Sequence, residues 1–264
     1  MDIILNPGLW LDASSWEDVI PSLEAAGHRA HPLTMPGLGE PASASSEVGI
    51  SDWIDAAVAA VDAAGPGKVF GEQFDMTGNP DGYRAWLEKA RDTLGGCDIF
   101  IHTASSSGQG ATGDWQRGLD MDIMGAVHGV EVLTEALAAS GSGSIIFMSS
   151  TAAVETFIVP QAFNALKAAL ITYGSQLSQA LAAQNIRVNI VSPGAIYYPG
   201  GNWEVIKSAV PPLYEGTLAQ MPMGRFGEPE EVAKGIVFMA SPACPYMTGA
   251  HLVIDGGFTK RVQF

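Results

Sequence analysis

Ser150, Phe163 and Lys167 stand in the segment GSIIFMSSTAAVETFIVPQAFNALKAAL, the second 13 residues after the first and the third four residues after that. Apolar residues recur with helical period from Pro160 to Ala183. Phe163 and Lys167 therefore share a helix face and project together toward the strand end that carries Ser150. A hydroxyl and an ammonium meeting there read either as a catalytic pair or as polar residues idle at a strand end and a helix face. General acid catalysis needs a transferable proton in reach, and Phe163 has none, which favours the second reading.

Asp122, in LDMDIMGAV, is an acceptor-only carboxylate when ionised. Tyr173 lies ten residues along the helix from Phe163, about 15 Å away, and cannot supply a proton at that position. Tyr197 and Tyr198 read as stand-ins or as lid and packing residues, the latter being commoner for loop phenols. The five histidines (His28, His31, His102, His128 and His251) show no metal-ligand spacing, and no G-x-S-x-G occurs. Metal and serine-hydrolase chemistry are not expected. After the first strand comes NPGLWLDASSW, where Gly8 stands alone before Leu9, Trp10, Leu11 and Asp12. Bulky side chains and a carboxylate there oppose a bound pyrophosphate.

These residues must be positioned by elements. Short Val- and Ile-rich runs alternate with amphipathic segments, the pattern of βα units closing a parallel sheet. The strands are expected at Ile3–Leu5, His28–Leu33, Lys68–Phe74, Ile99–His102, Ser144–Met148, Arg187–Val191 and His251–Ile254. Helices are expected at Ser15–Ala26, Ser51–Ala64, Asp81–Leu94, Trp115–Ala139, Pro160–Ala183 and Pro229–Ala240. Ser51 and Pro229 open helices with acidic first turns, and Gly65 stops one. The expected fold is a single, three-layer doubly wound α/β domain with seven parallel strands.

With 13 basic and 28 acidic residues the net charge is −15, which disfavours nucleic acid and anionic membranes as partners. Cys97 and Cys244 are far apart and read as reduced thiols. No apolar run reaches bilayer length, and the N-terminus has no signal-peptide pattern, so a cytoplasmic protein is expected.

From about residue 67 to 264 the sequence resembles a short-chain dehydrogenase/reductase. FDMTG, IRVNIVSPGAI, MGRFGEPEEVAKGIVFMASP and MTGAHLVIDGGF agree with that family in order and spacing. The resemblance implies a Rossmann-like fold, an NAD or NADP cofactor and a small carbonyl or alcohol substrate. It implies that Asp75 and Met76 line the adenine site, that Thr103 and Ala104 stand where the family has Asn-Ala, and that Pro193, Gly194 and Ile196 flank the nicotinamide. It implies a catalytic set at Ser150, Phe163, Lys167 and Asp122, where the family has Ser, Tyr, Lys and Asn. In the family the lysine binds the nicotinamide ribose and lowers the phenol's pKa. It also implies self-association through helices 115–139 and 160–183. The glycine loop of the family's first turn is replaced around Gly8.

Residues 1–66 instead resemble the start of an α/β-hydrolase, with an NPG turn and LDASSWEDVIPSLEAAGHRAHPLTMPGLGEP. A chimera is the expected origin. The expected function is an NAD(P)-dependent oxidoreductase, weak or inactive for want of the glycine loop and the phenol. The alternatives are a cofactor-free pseudoenzyme or scaffold, and a cofactor-independent lyase resembling halohydrin dehalogenases.

Overall fold

In this computed structural model, residues 2–5, 29–32, 70, 72, 74–106, 114–156, 160–198, 201–260 and 262 are described. The chain falls into two compact units, Met1–Phe74 with Tyr198–Gly201, and Asp75–Tyr197 with Asn202–Phe264. In the first, β1 (Asp2–Leu5) and β2 (Arg29–Pro32) form a parallel pair in the register Ile3 to Ala30. The helices expected at Ser15–Ala26 and Ser51–Ala64 lie outside the described residues. So does most of the strand expected at Lys68–Phe74.

The second unit holds a parallel sheet in the order β3 (Ile99–His102), β4 (Gly143–Met148), β5 (Ile186–Pro193) and β6 (His251–Ile254). Parallel neighbours need crossover connections, and helices supply them. They are α1 (Pro80–Leu94), α2 (Trp115–Gly118), α3 (Gly125–Ala139), α4 (Ala162–Leu181), α5 (Asn202–Ala209), α6 (Pro211–Leu218) and α7 (Pro229–Ala240). Six strands are thus described where seven were expected, each overlapping an expected run.

Side chains alternate across the sheet as strand geometry requires. Ile146 and Val191 pack against Val232 and Met239 of α7 on one face. On the other, a Cβ at Gly174 of α4 would lie 2.9 Å from Ile190 and 3.1 Å from Phe147, so glycine lets the helix sit close to the strands. Tyr173 stacks on Phe147 there, with centroids 5.8 Å apart. Helices on both faces and a parallel sheet between them give the three-layer α/β architecture.

Local chemistry sets the helix ends. Asn79 caps α1 by accepting from the Gly82 N–H, and Gly95 closes it in the left-handed region at φ 87°. Pro229 opens α7 behind a reciprocal Glu228–Glu231 capping box. The guanidinium of Arg187 donates to the carbonyls of Met239, Ala240 and Ser241, satisfying the last turn of α7.

Candidate functional site

The registers Phe147 to His102, Met148 to Val191 and Pro193 to Ile254 bring the C-terminal ends of four strands to one edge. Ser150 lies two residues beyond Met148, and Pro193 two beyond Val191, so these residues leave the sheet at the same level. Gly194 is held there by its N–H donating to the Ile254 carbonyl at 2.9 Å. A Cβ on Gly194 would come within 2.8 Å of the Asp255 backbone, so only glycine fits this turn.

Between α2 and α3 the chain runs as a π-helix over Leu119–Met124, giving one continuous helical stretch from 115 to 139. Such segments add a residue to the turn and re-aim side chains. Asp122 sits in it, fully buried. Its Oδ1 lies 2.8 Å from Lys167 Nζ, and its Oδ2 accepts from the N–H and hydroxyl of Ser106 at 3.0 and 2.8 Å. Lys167, only 3% exposed, also donates to the Met148 carbonyl at 2.7 Å. Its ammonium stands 5.7 Å from the centroid of the Phe163 ring. The lysine is therefore held by a carboxylate, a carbonyl and an aromatic face.

Burial opposes both charges of this pair. Burial alone would raise the Asp122 carboxyl, but the Lys167 ammonium, the Ser106 N–H and the Ser105 side chain outweigh it and hold the group below the ordinary carboxylate range. Burial lowers the Lys167 ammonium, with Asp122 offsetting part of that effect. His102 nearby is pushed down to about 4 by burial and by Lys167. It is neutral near pH 7 and donates through Nε2 to the Met121 carbonyl at 3.0 Å.

Phe163 and Lys167 thus project together as their spacing requires. Ser150 caps a short 3₁₀ turn, its Oγ accepting from the Ala152 N–H at 3.2 Å. The hydroxyl that bonds the backbone of Lys167 is that of Ser149, at 2.9 Å. Asp75 is exposed, and the Thr77 N–H on its Oδ1 lowers its pKa. Met76 packs beside Gly125 and His102. Thr103 is exposed, Ala104 half-buried, and Ile196 half-buried and paired with Gly227. Gly8 lies outside the described residues. Tyr197 donates its hydroxyl to Glu204 Oε1 at 3.4 Å. Sequence reasoning does not single out Ser149, Ser106 and His102 as site residues; the only signal for them is closeness in the chain to Ser150 and to Thr103 and Ala104.

A family profile described as Enoyl-(Acyl carrier protein) reductase matches residues 42–259. The chain is also similar to a solved short-chain type dehydrogenase/reductase from Mycobacterium ulcerans, at 26% identity and a TM-score of 0.68, over 78% of this chain and 77% of that one. The chain belongs to the short-chain dehydrogenase/reductase family. Its Rossmann-like α/β fold is that of its family neighbours. L-sorbose reductase from Gluconobacter frateurii, solved with NADPH and L-sorbose, is 28% identical with a TM-score of 0.68, over 80% of this chain and 84% of that one. Isoepoxydon dehydrogenase patN of Penicillium expansum is 34% identical over 75% of this chain and 76% of its own length. The family match begins at residue 42, inside the segment read as hydrolase-like. Among the described residues no group of three His, Cys, Asp or Glu side chains could hold a metal, and no helix is long and apolar enough to cross a membrane.

Proposed function

We propose that this family member is a nicotinamide-dependent oxidoreductase, interconverting a small carbonyl compound and its alcohol, with turnover held low by its own site. The observation that carries this reading is the buried Asp122–Lys167 pair with the Phe163 ring beside it. Chemistry at this edge needs an ammonium free to turn toward a ligand and a group that gives up a proton. Lys167 is already committed to two oxygens, and Phe163 offers no proton. Ser150 keeps its own hydroxyl hydrogen for a carbonyl oxygen, since its Oγ only accepts from Ala152.

The donor set fits a nicotinamide cofactor at one end. The exposed Asp75 carboxylate suits the amino group of adenine, and Met76 gives an apolar neighbour. Thr103 and Ala104 on one strand end, with Pro193, Gly194 and Ile196 on another, would flank the rest, and a cofactor supplies the hydride. At the ribose end, Lys167 would have one ammonium hydrogen left beyond those directed at Asp122 and the Met148 carbonyl. Around Gly8, the sequence offers no glycine cradle for the pyrophosphate.

The test is a titration of NADH and NADPH followed by calorimetry, then turnover assays on Phe163→Tyr. The single substitution leaves reductase activity near background. Combined with a glycine-rich loop grafted over Pro7 to Ser14, it gives measurable hydride transfer, a gain of roughly 10²–10⁴-fold. Robust turnover by Phe163→Tyr alone overturns the low-activity reading. A cofactor-free pseudoenzyme is the second reading, favoured by the same committed lysine. Its signature is a cooperative melt that neither nucleotide raises.

The same proposal holds the chain to be one cytoplasmic domain, with residues 1–66 of hydrolase-like origin. It self-associates through helices 115–139 and 160–183. The exposed Trp115 and Leu119, four residues apart on the first of these, support an apolar contact there.

A further inference from the structure

The turn that leaves β5 leads directly into a cluster of aromatic residues. Ala195, Met221 and Phe226 are buried, with Tyr197, Trp203, Tyr214, Leu218 and Phe258 packed around them. Tyr197 is anchored by its N–H to the Gly227 carbonyl at 2.9 Å. The rings of Tyr197 and Tyr214 meet edge to face, with centroids 6.2 Å apart and planes at 74°. In that corner stands the ammonium of Lys207, 5.3 Å from both centroids. The side chain comes from α5, and the residue is exposed.

Three points make this corner more than packing. The chain has 28 acidic residues against 13 basic ones, yet among the described residues no carboxylate forms an ion pair with Lys207. Glu204, one turn earlier on the same helix, accepts from the Tyr197 hydroxyl instead. The tyrosine faces hold the ammonium in place through their quadrupoles without cancelling its charge. Finally, ligands of open α/β sheets bind outside the carboxyl ends of the strands, and this corner grows from the carboxyl end of β5.

We propose that Lys207, with Tyr197 and Tyr214, recognises a substrate that carries one carboxylate on a cyclic, apolar body. The carboxylate takes the ammonium's open hydrogens, and the ring lies against a tyrosine face. A phosphate dianion would call for more donors than this one lysine gives. The inference rests on the oxidoreductase reading for the chemistry done at the other end of the substrate, but its test does not pass through that chemistry.

Calorimetric titration of the full chain with cyclohexanecarboxylate and with its neutral counterpart, cyclohexanecarboxamide, decides the matter. The carboxylate binds about tenfold or more tightly than the amide. Lys207→Met erases that preference, and Lys207→Arg, which keeps the charge, retains most of it. No heat with the carboxylate, equal affinity for the two probes, or a preference that survives Lys207→Met each overturns the proposal. Nucleotide binding is read in a separate titration. Cofactor binding without a carboxylate preference sinks this inference alone, and a carboxylate preference without cofactor binding sinks the oxidoreductase reading alone.

Discussion

Lys167 and Lys207 belong to the same strand-end region, and they show opposite uses of one side chain. Lys167 is 3% exposed and meets a carboxylate, a carbonyl and a phenyl ring. Lys207 is exposed and rests on two tyrosine rings. A charge taken out of water must find partners inside the protein, and those partners then own it. A charge left at the surface keeps its water and stays available for exchange. One lysine is thus part of the interior, while an aromatic corner beyond β5 presents a cation to the outside.

The largest effect should come from breaking the buried pair. Lys167→Met leaves the Asp122 carboxylate buried without a counterion, a loss of about 3–5 kcal/mol. At roughly 2–4 °C per kcal/mol this lowers the melting temperature by roughly 6 to 20 °C. Lys207→Met should change stability by no more than about 0.5 kcal/mol, as expected at an exposed site. Adding Asp122→Asn to Lys167→Met recovers part of the loss, because the uncompensated charge is gone. Chemical denaturation of these three variants and the native chain measures this. Equal costs at the two lysines would erase the distinction between them.

Acid should unsettle the buried side of the comparison through His102. Its folded pKa of about 4 lies below the unfolded value of 6.5. As pH falls from 6.5 the unfolded chain takes up the proton first, so stability is lost between pH 6.5 and about 4 and then levels off for this group. The shift corresponds to about 3 kcal/mol. Asp122, whose folded pKa is depressed, adds its own loss only at lower pH, as the folded carboxyl protonates. His102→Gln keeps a side-chain donor for the Met121 carbonyl, so its denaturation midpoint should fall much less between pH 7 and 4.5. A parallel fall in both proteins would remove His102 from the account.

Much of the frame behind this comparison was legible in the chain. Pro229 with two following glutamates marked α7, and the Val- and Ile-rich runs marked the strands, because local propensity and burial point the same way there. Helices α5 and α6 were missed. Asn202 to Leu218 contains two prolines and mixes apolar and polar residues, and what holds it is the aromatic cluster it forms with Tyr197 and Phe226. The π-helix over Leu119–Met124 was also invisible, since one added residue hardly disturbs the pattern of a long helix. The meeting of Asp122 with Lys167 spans 45 residues and depends on that π-turn. Sequence could place each residue at the site; only the fold shows that they hold each other.

The smallest effect in the buried group belongs to Phe163. Its ring stands 5.7 Å from the Lys167 ammonium, which also meets Asp122 and the Met148 carbonyl. A cation over an aromatic face gains about 0.5–2 kcal/mol, more as water is excluded. Phe163→Leu keeps an apolar side chain but removes that face, so it should cost about 1–2 kcal/mol. Phe163→Tyr keeps the face, and its stability should stay within about 0.5 kcal/mol of the native chain, the added hydroxyl lying on a half-buried residue. The decisive control is the same pair of substitutions in the Lys167→Met background. There the cation is gone, and the gap between leucine and tyrosine at position 163 should shrink to simple packing. If the gap persists unchanged, the ring serves the helix face alone, and Lys167 is held by its two oxygens without it.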